Sequence, residues 1–150
     1  QHWDVEKLKS MIDVNLIGAL HTLDVILPIF MEKNSGHLVF AGSLVGYRGL
    51  PGALGYGSSK AAIVNLSETL RFDLRDTGIK VQLINPGYVK TRLTDKNNFK
   101  MPQIMSPEVA AGKMFSNMNK NNFSSSFPAP FSWLFRVSQL LPESIYFKLF

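Results

Sequence analysis

The chain contains no cysteine. That excludes disulfide bridges and thiolate metal sites, and it favours a cytoplasmic home. Histidine is sparse, with three in all. His21 and His37 stand at no metal-ligand spacing from carboxylates and His2 reads as a surface residue, so no metal site is expected. No stretch reads as long and apolar enough to span a bilayer, and no secretory signal opens the chain, so neither a membrane-spanning helix nor export is expected. Runs of like charge are also missing. The formal charge of +5 is spread along the sequence rather than gathered in one basic block. It reads as a solubility feature rather than a nucleic-acid footprint, although a phosphate-bearing ligand would also suit it.

What is present fits one folded unit. The chain has 150 residues, 45% of them hydrophobic, enough for a sizeable core and unlike a disordered or fibrous composition. From Trp3 to about Glu32 the apolar residues Val5, Leu8, Ile12, Leu16, Ala19, Leu23 and Ile26 recur at threes and fours, which predicts a long amphipathic helix. Pro28 is a candidate kink or stop within it. Lys33 to Gly36 reads as a turn, His37 to Ala41 as a short buried strand, and Gly42 to Gly55 as a loop of small residues. A second helix is predicted from Tyr56 to about Asp76, with Gly78 as a left-handed cap. Lys80 to Ile84 reads as the next strand, closed by Asn85-Pro86-Gly87. Ser106 and Pro107 suit the cap and first position of a third helix running to about Asn119. Asn121 to Ser126 reads as polar and turn-like, leading into a last strand near Phe127. This alternation predicts an α/β fold with a parallel sheet, whose ligands bind beyond the carboxyl ends of the strands. Ser43 and the Asn85-Pro86-Gly87 turn both fall at that edge.

The chemistry-bearing group is Ser43, Tyr56 and Lys60. Tyr56 and Lys60 stand four apart and share a helix face, about 6 Å apart along the axis. A free tyrosine with a pKa near 10 is only about 0.1% ionised at neutral pH, and lowering it by three units takes roughly 4 kcal/mol. A cation about 4 Å away supplies up to that amount where the effective dielectric is about 20. Lys60 is expected to lie farther off and supply part, with a cationic oxidised nicotinamide as a natural second source. The pattern points to proton transfer coupled to hydride transfer.

These residues resemble the short-chain dehydrogenase/reductase family, over most of the chain. The resemblance rests on Asn15 in VNLIG, Ser43 in VFAGS, Tyr56 and Lys60 in YGSSK, and PGYVKT from Pro86 to Thr91. It implies a Rossmann-like, doubly wound parallel sheet and an NAD- or NADP-dependent oxidoreductase acting on a small carbonyl or alcohol substrate. It further implies Tyr56 as the general acid/base, Lys60 as the ligand of the nicotinamide ribose, Ser43 as the hydrogen-bond partner of the substrate oxygen, and Asn15 as the holder of a relay water. Pro86 and Gly87 would line the nicotinamide pocket, with Val89 and Thr91 reaching its carboxamide. The family's first two long helices form a dimer interface, so a homodimer or homotetramer is implied.

The glycine-rich turn that holds the cofactor pyrophosphate in this family is missing, as are the residue that selects NAD or NADP and the Asn-Asn-Ala-Gly segment. The sequence therefore reads as the C-terminal portion of such an enzyme, 1–128, followed by an amphipathic helical segment, 129–150. On its own it is expected to bind dinucleotide poorly, and an alternative role is that of a truncated, catalytically incompetent partner for dimerisation or regulation. In the tail, Phe131, Trp133, Leu134, Phe135, Val137, Leu140 and Leu141 suggest an apolar helix, with a second apolar turn after Pro142. The tail is similar to that of a bacterial branch ending in a Phe-Pro strand and paired helices. It reads as a substrate lid or dimer contact, with peripheral membrane association as the alternative. A lid of this kind would suit an apolar substrate.

Overall fold

The computed structural model describes residues 4–149. The expectations for His2 and for a helix beginning at Trp3 lie outside the described residues. Helix α1 (Val5–Ile12) starts at Asp4, whose carboxylate accepts from the Lys7 amide at 3.2 Å. It passes into a π-helical turn at Asp13–Ile17 and then into α2 (Gly18–Lys33). Pro28 lies inside α2 and does not end it. The helix stops at Asn34, which takes a left-handed conformation with φ 45°.

The segments from Val5 to Lys33 thus form one helix of 29 residues, whose mean hydropathy reaches 1.7 over an 18-residue window. This corrects the expectation that no stretch is long and apolar enough to cross a bilayer: by length and composition this one is. The same residues serve the sheet, because Leu23 is buried in the core and Leu16, Ala19, Ile26, Leu27 and Phe30 pack against it.

Three parallel strands follow: β1 (Gly36–Ala41), β2 (Ile79–Pro86) and β3 (Ser124–Phe127), in the order β1-β2-β3. Helix α3 (Leu54–Asp73) connects the first pair and α4 (Pro107–Met118) the second. Alternation along the strands divides the core between two faces. Leu38, Phe40, Val81 and Leu83 face α2 and α3, where Ile63 and Leu74 close the layer. Val39, Ile84 and Phe127 face α4, packing with Ala110, Met114 and Met118. Helices on both faces of a parallel sheet make the Rossmann-like arrangement, here with only part of such a sheet. Ser106 caps α4 by accepting from the Val109 amide at 3.3 Å, with Pro107 at the first turn as expected.

Two expectations fail locally. Gly78 is not a left-handed cap: α3 ends at Leu74 with φ −98°, and among the described glycines only Gly52 has a positive φ. Gly78 is needed for space instead, since a Cβ there would collide with the Asn34 carbonyl oxygen, while its amide donates to Asn34 Oδ1 at 2.9 Å. The stretch read as turn-like up to Ser126 is in strand from Ser124 onward, because pairing with Leu83 to Pro86 outweighs the weak strand preference of three serines.

The tail forms α5 (Phe131–Ser138) and α6 (Glu143–Leu149). The buried side of α5 consists of Ser132, Phe135 and Ser138, whereas Trp133, Leu134 and Val137 are exposed. Its apolar side therefore faces outward. Tyr146 of α6 is buried, at 2% exposure.

Candidate active site

Ser43 lies two residues beyond the end of β1, after Gly42. It is nearly buried and extended, and its Oγ accepts from the Val45 amide at 3.4 Å, a long bond. Among the described residues its hydroxyl proton has no acceptor. The chain then folds into a 3-10 turn, Leu44–Gly46, that packs on α3. A Cβ at Gly46 would lie 2.9 Å from the Lys60 carbonyl oxygen, so glycine is what allows this approach.

Tyr56 and Lys60 both lie on α3, as the four-residue spacing predicts. Tyr56 is 42% exposed, which leaves its phenol open to a ligand. The Lys60 ammonium stands 5.7 Å from the centre of the Tyr56 ring and donates to the Ala41 carbonyl at 2.9 Å. Burial pushes the Lys60 ammonium below its ordinary value. The lysine thus ties the helix carrying Tyr56 to the end of the strand that delivers Ser43.

Asn15 lies in the π-helical turn, a distortion frequent at functional sites. Its amide donates to Ser59 Oγ at 3.0 Å, and Ser59 donates onward to the Tyr56 carbonyl at 2.8 Å. A Cβ at Gly55 would meet Leu8 Cδ2 at 2.9 Å, so α1 closes directly on the start of α3.

The strand expected to close at Ile84 runs on through Asn85 to Pro86, because these two pair with Ser126 and Phe127, and the chain leaves β2 only at Gly87. The Gly87 amide donates to the Phe127 carbonyl at 2.7 Å, and a Cβ on Gly87 would stand 3.3 Å from Leu44 Cδ1 beside Ser43. Val89 pairs with Met105 in an isolated parallel bridge, and its carbonyl accepts from Thr94 Oγ1 at 2.9 Å. The Thr91 amide donates to that same Thr94 hydroxyl at 2.8 Å, while the Thr91 residue is exposed. Ser43, Lys60, Tyr56, Asn15, Pro86 and Gly87 therefore belong to connected elements at one end of the sheet. Val89 and Thr91 lie on the loop that leaves it.

Sequence reasoning passed over Ser59, Asn85 and Arg48. Ser59 is buried and links Asn15 to Tyr56. Its place three residues after Tyr56 in the same helix turn was the available signal. Asn85 is fully buried and donates to Tyr47 Oη at 3.2 Å and Ser124 Oγ at 3.4 Å, while its Oδ1 has no partner among the described residues. Gly42 exists for that oxygen: a Cβ there would collide with it. Nothing local marks Arg48, whose partners all lie in the tail.

The model of the short chain dehydrogenase family matches residues 1–102. The chain belongs to this family. An uncharacterized oxidoreductase of Myxococcus xanthus is 40% identical over 141 residues, covering 94% of this chain and 56% of the relative. One from Staphylococcus epidermidis is 38% identical over 97 residues, 65% of this chain and 42% of the relative. The chain thus spans about half the length of the curated relatives it matches. Among solved structures, serine dehydrogenase from Escherichia coli is similar at TM-score 0.71 and 27% identity, over 83% of this chain and 54% of that one. A short chain dehydrogenase from Burkholderia cenocepacia, in complex with NADP, shares the fold at TM-score 0.82 and 19% identity, over 97% of this chain and 61% of that one.

Proposed function

We propose that this short chain dehydrogenase contributes the catalytic half of a site that interconverts an alcohol and a ketone or aldehyde with NAD or NADP. The observation that carries the reading is the junction of Lys60, Ala41 and Ser43 beside a half-exposed Tyr56. When bound, the nicotinamide group supplies or accepts the hydride. The residues present fit its nicotinamide end: a phenol and an ammonium on one helix face, next to the Pro86-Gly87 turn. Tyr56 Oη passes the proton to or from the substrate oxygen. Ser43 donates its uncommitted hydroxyl proton to that oxygen. Lys60 holds the ribose hydroxyls and adds positive charge beside the phenol, and Asn15 holds the relay water. Pro86 and Gly87 line the ring pocket, with Val89 and Thr91 at its carboxamide.

Support for an apolar substrate comes from the aromatic group on the loop after β2. Tyr88 lies 6.0 Å from Phe99 and 5.7 Å from Phe131, ring centre to ring centre, at the junction of that loop with the tail. Burial there raises the Tyr88 phenol above its ordinary value. Residues 1–128 form the catalytic portion in this reading and 129–150 a covering segment. Exposed Val14, Val25 and Ile29 on the long helix and Phe72 on α3 support self-association into a homodimer or homotetramer.

The decisive experiment is Tyr56→Phe in the full-length protein. Turnover should fall at least about 100-fold, the scale of a lost acid–base group, with dinucleotide affinity nearly unchanged. A variant that retains turnover would sink the assignment.

A further inference from the structure

The segment between Ser43 and Tyr56 has almost no regular structure of its own beyond one 3-10 turn. It is held from the far end of the chain. Arg48 Nη1 donates to the Ser138 carbonyl and, at 2.8 Å, to the Leu141 carbonyl. Ser138 is the last residue of α5 and Leu141 lies in the turn that follows it, so the guanidinium sits at the negative end of the helix dipole. The guanidinium also lies 3.9 Å from the centre of the Tyr146 ring. Tyr146, buried in α6, donates its hydroxyl to the Gly49 carbonyl, and Gln139 Nε2 reaches the Tyr47 carbonyl at 3.4 Å. Three consecutive residues, Tyr47, Arg48 and Gly49, are therefore anchored by α5 and α6. From the sheet side, the Tyr47 hydroxyl meets Ser126 Oγ at 2.6 Å.

We propose that the α5–α6 pair is a positioning element for the active site, and that Arg48 is the positioning residue through which it acts. The inference rests on the proposed roles of Ser43 and Tyr56. Arg48 touches no reacting atom. It fixes the path of the loop whose two ends carry the substrate-facing hydroxyl of Ser43 and the acid/base Tyr56, and one cation does so with two hydrogen bonds and an aromatic face. A lysine ammonium cannot lay a planar face on the Tyr146 ring while donating both bonds. The tail, as well as covering the site, sets how closely Ser43 and Tyr56 are held.

The test compares Arg48→Ala, Arg48→Lys and Tyr146→Phe in the full-length protein. Hydrogen–deuterium exchange across residues 44–55 is the first readout, and it needs no turnover. Arg48→Ala should speed exchange there and in α6, with Arg48→Lys intermediate. Tyr146→Phe keeps the ring beneath the guanidinium and should loosen the loop near Gly49 alone. It serves as the independent variant should Arg48→Ala not fold. The second readout is kinetic. Arg48→Ala should lower kcat about 10- to 100-fold, as small misplacements of reacting groups do, with little change in KM, and millimolar methylguanidinium should restore part of it. Unchanged exchange in the loop for all three variants would overturn the clamp. Faster exchange with unaltered kcat and no guanidinium rescue would overturn its positioning role. If Tyr56→Phe retained turnover while Arg48→Ala loosened the loop, the function would fail and the clamp would stand.

Discussion

The Lys60 ammonium donates to the carbonyl of Ala41, two residues before Ser43, at 2.9 Å. One bond thereby joins the helix that carries the candidate acid/base to the strand that carries its neighbour. It also holds the ammonium away from bulk water, and this burial has a measurable pH consequence. With the folded-state pKa of Lys60 below the ordinary 10.5, the unfolded chain binds more protons than the folded one between the lowered value and 10.5. The Lys60 contribution to stability therefore rises with pH across that window. Below it both states are protonated and the burial penalty is fully present; above it both are neutral and the penalty is gone. In Lys60→Met this contribution is lost, so wild-type stability should gain on that of the variant as pH rises through the window. Urea midpoints followed through the alkaline range, wild type against variant, give the comparison, and parallel curves would contradict the burial of the ammonium.

Gly42→Ala addresses the end of β1. The added methyl would collide with Asn85 Oδ1 and approach Leu83 Cδ1 to 2.9 Å. The cost should be about 1–3 kcal/mol, the usual range for overpacking. Asn85→Ala removes the oxygen in question, so the double variant should recover part of the Gly42→Ala loss. A double-mutant cycle in denaturant measures that coupling. Strict additivity would show that the two groups do not meet.

Ser59 stands between Asn15 and the Tyr56 carbonyl. Ser59→Ala leaves the part-buried Asn15 amide without this acceptor and removes one bond from the Tyr56 carbonyl, and the loss should be about 1 kcal/mol. Asn15→Ala should cost less in the Ser59→Ala background than in wild type, because the bond it removes is already broken. Equal costs in the two backgrounds would mean that the π-helical turn is not held through Ser59.

The parts of the site that depend on short spacing were readable beforehand. Tyr56 and Lys60 share one helix, and Ser43 and Gly87 follow strands marked by short apolar runs. Ser106-Pro107 also capped its helix as its residue types suggest. The parts that depend on distant pairing were not readable. Ser59 meets Asn15 across 44 positions, Asn85 meets Tyr47 across 38, and Arg48 meets Leu141 across 93. The π-helical turn contains no glycine or proline, and it lies against α3. Gly78 misled for a related reason: glycine after a helix suggests a left-handed cap, but here the constraint is the Asn34 carbonyl lying against it. The long helix shows the opposite error, because an apolar face built for a sheet also satisfies the length and hydropathy of a membrane span.

Gln82 offers a test well away from the chemistry. It is buried at 2% exposure on β2, and its Nε2 reaches the carbonyls of Asn117 at 3.3 Å, Lys120 at 2.7 Å and Asn122 at 2.9 Å. Its Oε1 meets His37 Nε2 at 2.8 Å. Those carbonyls lie at and just beyond the C-terminal end of α4, where a helix leaves acceptors unpaired. Gln82→Met keeps the length of the side chain and removes every one of these bonds. Lys80 still serves the Met118 and Lys120 carbonyls, so the end of α4 is not wholly stripped. The expected loss is about 1–3 kcal/mol, the cost of leaving buried polar groups unmet, with faster amide exchange confined to the last turn of α4 and the Asn122 loop. Exchange in the segment around Ser43 and Tyr56 should not change. Equal speeding in both regions would mean that the two faces of the sheet open together, and that the active-site end has no separate stability of its own.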